Sequence, residues 1–451
     1  MFAPDIVPIN TPIGGLREYA ASDPGGWTTE VRVGESPREV PPSWPMPPHM
    51  VDVFASGKYS DAKIQLSSAN ESDPFPTTIL DVHRVVVSQS PVVGAILERE
   101  SMPQTTVHII AGESFSAPRG FELALQHLYG LELLGLGNVY NFAHQILGVE
   151  VVDGYTPDKL KKTAMDLALA YGATGAFLNQ PDVVDAAFKL VVGLFDWSNL
   201  ETALQFGLFP EEFLLAWIPL KNIAKEDTNS SSSSSSNNKD SKGKRKKRRS
   251  IRGKRAHKKT VVIDNLNTEL VEKYAPRVAS ATIDFLVQNL PSNFFFDRAA
   301  LANDLHDRIP VHLRSMYSLS NMNPLLATLQ FGDFPIPTPE CTHASAIFLA
   351  LPFAHLREAT EKMRNSGILT KDIIKAILQE REERRLTALE KHAEYTYNKG
   401  DDIDSMVNEL GYHEFAVHLE GFEVSSGVGV TQYEYSLNRE WQGLWPEGDG
   451  F

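Results

Sequence analysis

Polar and apolar residues alternate at Lys63-Ile64-Gln65-Leu66, the period-two pattern of a half-buried strand. Val107-His108-Ile109-Ile110 predicts a second apolar strand. Between them, Val85 to Leu97 is mostly apolar but broken by Ser88-Gln89-Ser90-Pro91, which predicts a short helix, a turn and another helix. Phe121, Ala124, Leu125 and Leu128 recur at i, i+3, i+4 and i+7, one helical face with Gly130 placed to cap its C-terminus. Leu160 to Leu220 reads as helical: Met165, Leu169 and Tyr171 precede Gly172, and Val183 to Phe195 forms a second apolar helix. The helical pattern resumes over 261–418. It is clearest at Lys371 to His392, where Ile374, Ile377, Leu378, Leu386 and Leu389 line one side and Glu380 and Arg384 make an i,i+4 pair on the other. Val428 to Leu437 alternates loosely and predicts a terminal strand, with Trp441 and Trp445 capping the end.

These elements predict an α+β protein: an N-terminal mixed domain followed by a mostly helical region that a disordered basic insert interrupts. The expected divisions are a Pro/Gly-rich leader at 1–49, a mixed domain at 50–135 and a first helical part at 136–227. The insert follows at 228–260, then a second helical part at 261–420 and a terminal strand or tail at 421–451. The leader holds the run from Pro41 to Pro48, where proline fixes φ and removes donors. The insert joins seven serines, Ser230 to Ser236, to a basic cluster, a composition that cannot bury a core. A short internal echo relates Leu204-Gln205-Phe206-Gly207-Leu208-Phe209-Pro210 to Leu329-Gln330-Phe331-Gly332-Asp333-Phe334-Pro335, as two related helical units would.

Charge sharpens this division. The 451 residues carry a net −14, yet Lys242 to Lys259 holds twelve Lys and Arg and no acid, which leaves −26 on the rest. Acidic folded surfaces repel nucleic acid, whereas the insert attracts it. The single cysteine, Cys341, fits a reducing compartment. Met1 to Ala20 has no basic segment leading into an apolar core, so no secretory signal is expected. No stretch reaches the roughly 18 apolar residues of a membrane helix; Val183 to Phe195 is interrupted by Asp185 and Lys189. No membrane partner is expected.

Three ordered motifs suggest a family. Ser56-Gly57-Lys58-Tyr59-Ser60-Asp61 leads into the first strand; Val82-His83-Arg84-Val85-Val86-Val87 precedes Ser88-Gln89-Ser90-Pro91; Phe121-Glu122-Leu123 runs to Leu128-Tyr129-Gly130. Together they resemble the BTB/POZ domain family in its fungal form, over about 80 of 451 residues. The resemblance implies a protein-binding module in which Asp61, His83 and Arg84 lie near a dimer or partner surface and tie the first strand to the helical layer. For His83 the residues leave two readings open: a packing histidine with satisfied nitrogens, or a direct partner contact. Leu160 to Leu220 and the segment from Leu349 also resemble the BACK-like helical extension that follows such domains.

Catalytic signatures do not assemble. Cys341-Thr342-His343 places a thiol near an imidazole, but adjacency is not triad geometry. Gly135-Leu136-Gly137 lacks the third glycine and preceding strand of a dinucleotide loop and reads as a flexible turn. The thirteen histidines lack metal-ligand spacing, and Asp401, Asp402 and Asp404 lack the glycine and distal Glu of a calcium loop. No cofactor, metal or enzymatic activity is expected. The basic run Lys244, Arg245, Lys246, Lys247, Arg248 and Arg249 is what an import receptor takes as an extended, accessible segment. It is also compatible with non-specific nucleic-acid contact. Ser250, directly after it, is a candidate phosphosite whose added charge would weaken the signal.

The expectation is therefore a nuclear, BTB-mediated protein-interaction scaffold or transcription-associated regulator, shared in part with the cytoplasm, binding a second copy or another chain. The alternative is a substrate adaptor for a cullin-type ubiquitin ligase.

Overall fold

The computed structural model describes residues 49–69, 75–99, 105–112, 114–148, 157–218, 268–314, 337–368, 370–399, 405–418 and 435–444. They form an α+β fold with a four-stranded mixed sheet, a two-stranded sheet and helices packed around two main cores. The leader expected at 1–49 (apart from His49), the Ser-rich and basic insert, the echo at Leu329 to Pro335 and the Asp401–Asp404 cluster lie outside the described residues.

Helix α1 (His49–Ser56) leads into β1 (Ala62–Ser68), which turns back as β2 (Thr78–Val82) in antiparallel register, Ala62 facing Val82 and Leu66 facing Thr78. The chain then makes α2 (Arg84–Val87) and α3 (Pro91–Arg99), the helix-turn-helix expected from its broken apolar run. It returns as β3 (Thr105–Ala111), parallel to β1. A parallel neighbour requires such a crossover, and α2 and α3 supply it. The period-two alternation sends Ile64, Leu66, Val107 and Ile109 into the core, while Lys63 and Asp81 stay on the outer face.

Helix α4 (Ala117–Leu128) lies against α6 (Pro157–Leu178), after α5 (Leu136–Leu147). Every residue of α6 from Leu167 to Leu178 is buried, so it is the central post of the domain. Gly172 does not end it. The Tyr274 ring occupies the space where a Cβ at 172 would stand, so the glycine serves close packing inside the helix. Gly120 works similarly: a Cβ there would sit 2.9 Å from the Ala170–Tyr171 backbone. The half-buried Asp166 carboxylate accepts from the Ser116 N–H at 2.9 Å and the Ser114 hydroxyl at 3.0 Å, pinning the start of α4 to α6. Burial pushes its carboxyl up despite these bonds.

Helices α7 (Pro181–Leu194) and α8 (Leu200–Leu208) follow. The helical reading of 160–220 then fails at its end: Leu215–Ile218 is strand β4, antiparallel to β3, so the sheet order is β2-β1-β3-β4. Leu215 and Trp217 are inward, as a strand requires, and Leu-Ala-Trp-Ile is too short for periodicity to distinguish the two. The sheet thus draws in chain from the range set apart as a helical extension. Gly135-Leu136-Gly137, read as a flexible turn, instead opens α5.

Helix α8 divides its faces between the cores: Ala203 and Phe206 join the first, Leu200 and Leu204 the second. A five-residue π-helical turn, Leu270–Tyr274, runs into α9 (Ala275–Gln288), which packs on α8 where a Cβ at Gly207 would lie 2.8 Å from Ala279. The second core is completed by α10 (Pro339–Ala350), α11 (Phe353–Asn365), α12 (Lys371–Lys399) and, after the short α13 (Ser405–Glu409), the hairpin β5 (Tyr412–His418) and β6 (Tyr435–Trp441). Strand β5 falls where the helical pattern was expected to continue; of the terminal strand expected at Val428 to Leu437, Tyr435 to Leu437 lie in β6, and residues 428–434 and Trp445 lie outside the described residues.

The inward stripe of α12 departs from the apolar pattern. Ile374, Ile377 and Leu389 are buried, but Leu386 is exposed, and the middle of the stripe is Arg381 and Arg385. Arg381 is 1% exposed and binds Glu414 on β5 bidentately at 2.7 and 2.8 Å. Its remaining donors reach the carbonyls of Phe348, Leu349 and Leu351 at 2.9 to 3.0 Å, satisfying the C-terminal end of α10. Arg385 binds Glu382 at 2.7 Å and the Leu410 carbonyl at 2.8 Å. The expected Glu380–Arg384 pair forms at 3.0 Å, on a largely covered face.

Candidate interaction surface

The predicted residues Asp61, His83 and Arg84 meet at one corner of the sheet, where β2 passes into α2. The Arg84 backbone N–H donates to Asp61 Oδ1 at 2.8 Å. Asp61 thereby caps α2 from across the sheet, since the residue at the N-cap, His83, makes no side-chain cap. His83 is 8% exposed. Its backbone N–H donates to the Tyr129 hydroxyl at 2.9 Å, its Nδ1 lies 3.0 Å from the same oxygen, and its Nε2 lies 2.8 Å from the Lys58 carbonyl. A carbonyl only accepts, so Nε2 carries the proton; in the neutral ring Nδ1 then accepts from Tyr129. One tautomer satisfies every group, and the packing reading of His83 describes this geometry.

Tyr129 is fully buried at the C-terminal end of α4 beside the left-handed Gly130. Its ring is 4.7 Å from Phe54 and 5.7 Å from His83. Burial pushes its hydroxyl up to about 12, so it stays a neutral donor. The three sequence motifs thus converge on one network, buried at His83 and Tyr129 and exposed at Asp61, which holds the 57–61 turn, the β2–α2 junction and the end of α4 together.

Beside the network three apolar side chains are exposed among the charged Lys58, Asp61, Lys63 and Asp81. Tyr59 is 88% exposed, Val85 80% and Ile79 57%. Tyr59 also has φ +65°, a left-handed conformation that costs a non-glycine residue about 1–2 kcal/mol. Lys58 and Asp61, on either side of Tyr59, are the residues bonded to His83 and Arg84, so the network fixes the backbone that holds Tyr59 outward. Gly57 packs on Asp81, in the same strand face as Ile79; a Cβ there would be 3.3 Å from the Asp81 Cβ. Strand β2 is the sheet's terminal strand, so its outer backbone edge has no strand neighbour among the described residues. Sequence reasoning did not single out Tyr59, Val85 and Ile79 as surface residues, and only the fold reveals which way they point.

The other chemistry considered does not converge. Cys341 is buried near the start of α10, where its N–H donates to Thr338 Oγ1 at 3.3 Å. His343 stands two residues on, a spacing that does not share a helix face. Its Nδ1 faces Glu201 at 4.0 Å. Glu201 also accepts the N–H groups of Asn303 and Asp304 at 2.7 and 2.8 Å. Burial would raise this carboxyl, but His343 and these N–H groups hold it below its usual value. The pair is a tie between α8, α10 and the loop after α9. Among the described residues no group of three or more His, Cys, Asp or Glu is placed to hold a metal, and no helix is long and apolar enough to cross a membrane. Lys244 to Arg249 and Ser250 lie outside the described residues.

No family model, no curated protein and no solved structure matches this chain.

Proposed function

We propose that this chain is a BTB/POZ-type interaction scaffold that works in the nucleus, gripping another polypeptide through the Tyr59–Val85–Ile79 edge without chemical turnover. The observation that carries the reading is the arrangement of 57–130: a hairpin, a two-helix crossover, a parallel third strand and a closing helix, locked by Tyr129 on His83. Asp61 and His83-Arg84, the residues on which the sequence resemblance rests, stand at the strand–helix joint of that arrangement and support this reading. The edge supplies what a partner surface needs: apolar side chains held outward beside a strand with no outer neighbour among the described residues. The basic run Lys244 to Arg249 supplies the import signal in this reading.

The test is recovery of stoichiometric partners from cells expressing the full chain and the doubly substituted Tyr59→Asp, Val85→Asp chain. The proposal expects a second copy or another chain to be recovered with the wild type and lost with the variant at unchanged thermal stability. Stoichiometric cullin would identify the adaptor form of the same function. Partners indifferent to both substitutions would refute the surface. Nuclear accumulation that survives replacement of Lys244–Arg249 by alanine would refute the import assignment.

A further inference from the structure

The loop that follows α9 runs through three consecutive phenylalanines, and they divide between core and surface. Phe296 is buried, Phe294 is half-buried with its ring edge-on to Phe348 at 6.1 Å, and Phe295 is 41% exposed. The loop is tied to α10: the Asp297 N–H donates to Ser345 Oγ at 2.9 Å, and Thr342 Oγ1 donates to Asp297 Oδ2 at 2.8 Å. Opposite stands the start of α12, where Thr370 Oγ1 accepts the Ile373 N–H at 3.3 Å. Between them lies a groove of about 1010 Å³, with Phe294, Phe295, Phe296, Ile368, Ile373 and Ala376 as apolar walls. Its charged lining is Asp297, Asp372 and Arg298. Arg298 is already held by Glu380 at 3.0 Å and Glu383 at 2.8 Å. Asp297 accepts only from uncharged donors, and Asp372 makes no ion pair among the described residues. Lys371 and Lys375 do not line the groove; on α12 they are turned about 100° or more from the face of Asp372, Ile373 and Ala376.

We propose that this groove docks an amphipathic helix of a partner protein, with bulky apolar residues on one face and Lys or Arg beside them. The surface shares no residue with the Tyr59 edge, and the inference does not rest on that reading. Half of the lining residues are exposed, whereas a small-molecule pocket buries most of its ligand. The volume stands at the upper limit for small-ligand sites, so it suits several side chains, as the i, i+3, i+4 and i+7 anchors of a helix supply. Charge sets the second requirement. Carboxylates outnumber the guanidinium in the lining, and that guanidinium is shared by two further carboxylates, so cationic flanks are drawn in and acidic ones repelled. The rest of the chain extends this preference: with the twelve Lys and Arg of 242–259 set aside, the net −14 becomes −26.

The test is fluorescence anisotropy of a dye-tagged helical peptide of leucine and lysine, about four turns long with its leucines on one face, titrated with the full chain. One comparison peptide replaces every lysine by glutamate; another scatters the leucines around the helix. Saturable one-site binding of the first peptide is expected, at least about tenfold tighter than either comparison. Phe295→Ser, at the exposed wall, is expected to weaken it about tenfold and Asp372→Asn several-fold, in chains that circular dichroism shows folded. Tyr59→Asp with Val85→Asp should leave it unchanged, which separates the groove from the edge. Hydrogen exchange of the wild type with the peptide is expected to gain protection at 291–299 and 370–376. No saturation, equal binding of either comparison peptide, indifference to Phe295→Ser or Asp372→Asn, loss with the Tyr59 and Val85 substitutions, or protection only outside those two segments would each overturn the proposal.

Discussion

Replacing Arg381 by leucine tests whether α12 is held by charge at its centre. Arg381 contributes both oxygen contacts to Glu414 and three bonds to the carbonyls that end α10. Removing one partner of a buried pair costs about 3–5 kcal/mol. Arg308 remains 3.5 Å from Glu414 and limits that loss, but the orphaned carbonyls add about 1–3 kcal/mol for each that water cannot reach. The expected destabilisation is therefore at least about 3 kcal/mol, read as a shift of the urea midpoint followed by circular dichroism. The discriminating variant is Arg381→Leu with Glu414→Leu. It removes the stranded carboxylate, so the double variant should be more stable than Arg381→Leu alone, with strong non-additivity between the two sites. A single-variant cost below about 1 kcal/mol, or simple additivity, would refute the role assigned to this pair.

Three further outcomes follow from buried polar groups. Tyr129→Phe should cost about 1–3 kcal/mol in thermal or urea unfolding, because the buried His83 N–H and Nδ1 lose their shared partner. Tyr274→Phe should be neutral or slightly stabilising by the same assay, since the Tyr274 hydroxyl is buried without a hydrogen-bond partner among the described residues. Glu414 is held at about 2: burial would raise it, but Arg381 and Arg308 together outweigh burial. Its contribution is fully present above the ordinary carboxylate value near 4.5 and fades as pH falls towards 2; Glu414→Gln should flatten that acid limb of the stability curve.

The parts of this fold legible in the sequence are those whose partner face is regular. Strand β1, the β3 apolar run, the α2–α3 break at Ser90-Pro91 and the α4 face around Phe121 were each readable because burial repeats at period two or 3.6. Strands β4 and β5 were not, because Leu215–Ile218 becomes a strand through its pairing with β3, and Tyr412–His418 through its pairing with β6. The α12 stripe misled because a hydrophobic count assigns leucine inward and arginine outward, whereas Arg381 is buried by its bonds to Glu414 and to the end of α10, and Leu386 is turned outward. The packing role of Gly172 was not legible because the Tyr274 ring that requires a glycine there comes from 102 positions along the chain. At the candidate surface the polar frame of Asp61, His83 and Arg84 was visible as motif. The outward side chains of Tyr59 and Val85 were not, since exposure belongs to the tertiary structure.

The account depends most on the edge formed by the 57–61 turn, β2 and α2 being where another polypeptide docks. Hydrogen–deuterium exchange on the full chain, alone and with its co-purified partner, tests this directly. The prediction is added protection at Gly57–Asp61, Thr78–Val82 and Arg84–Val87 on complex formation. Protection confined to residues 268–444, with those three segments unchanged, would contradict it.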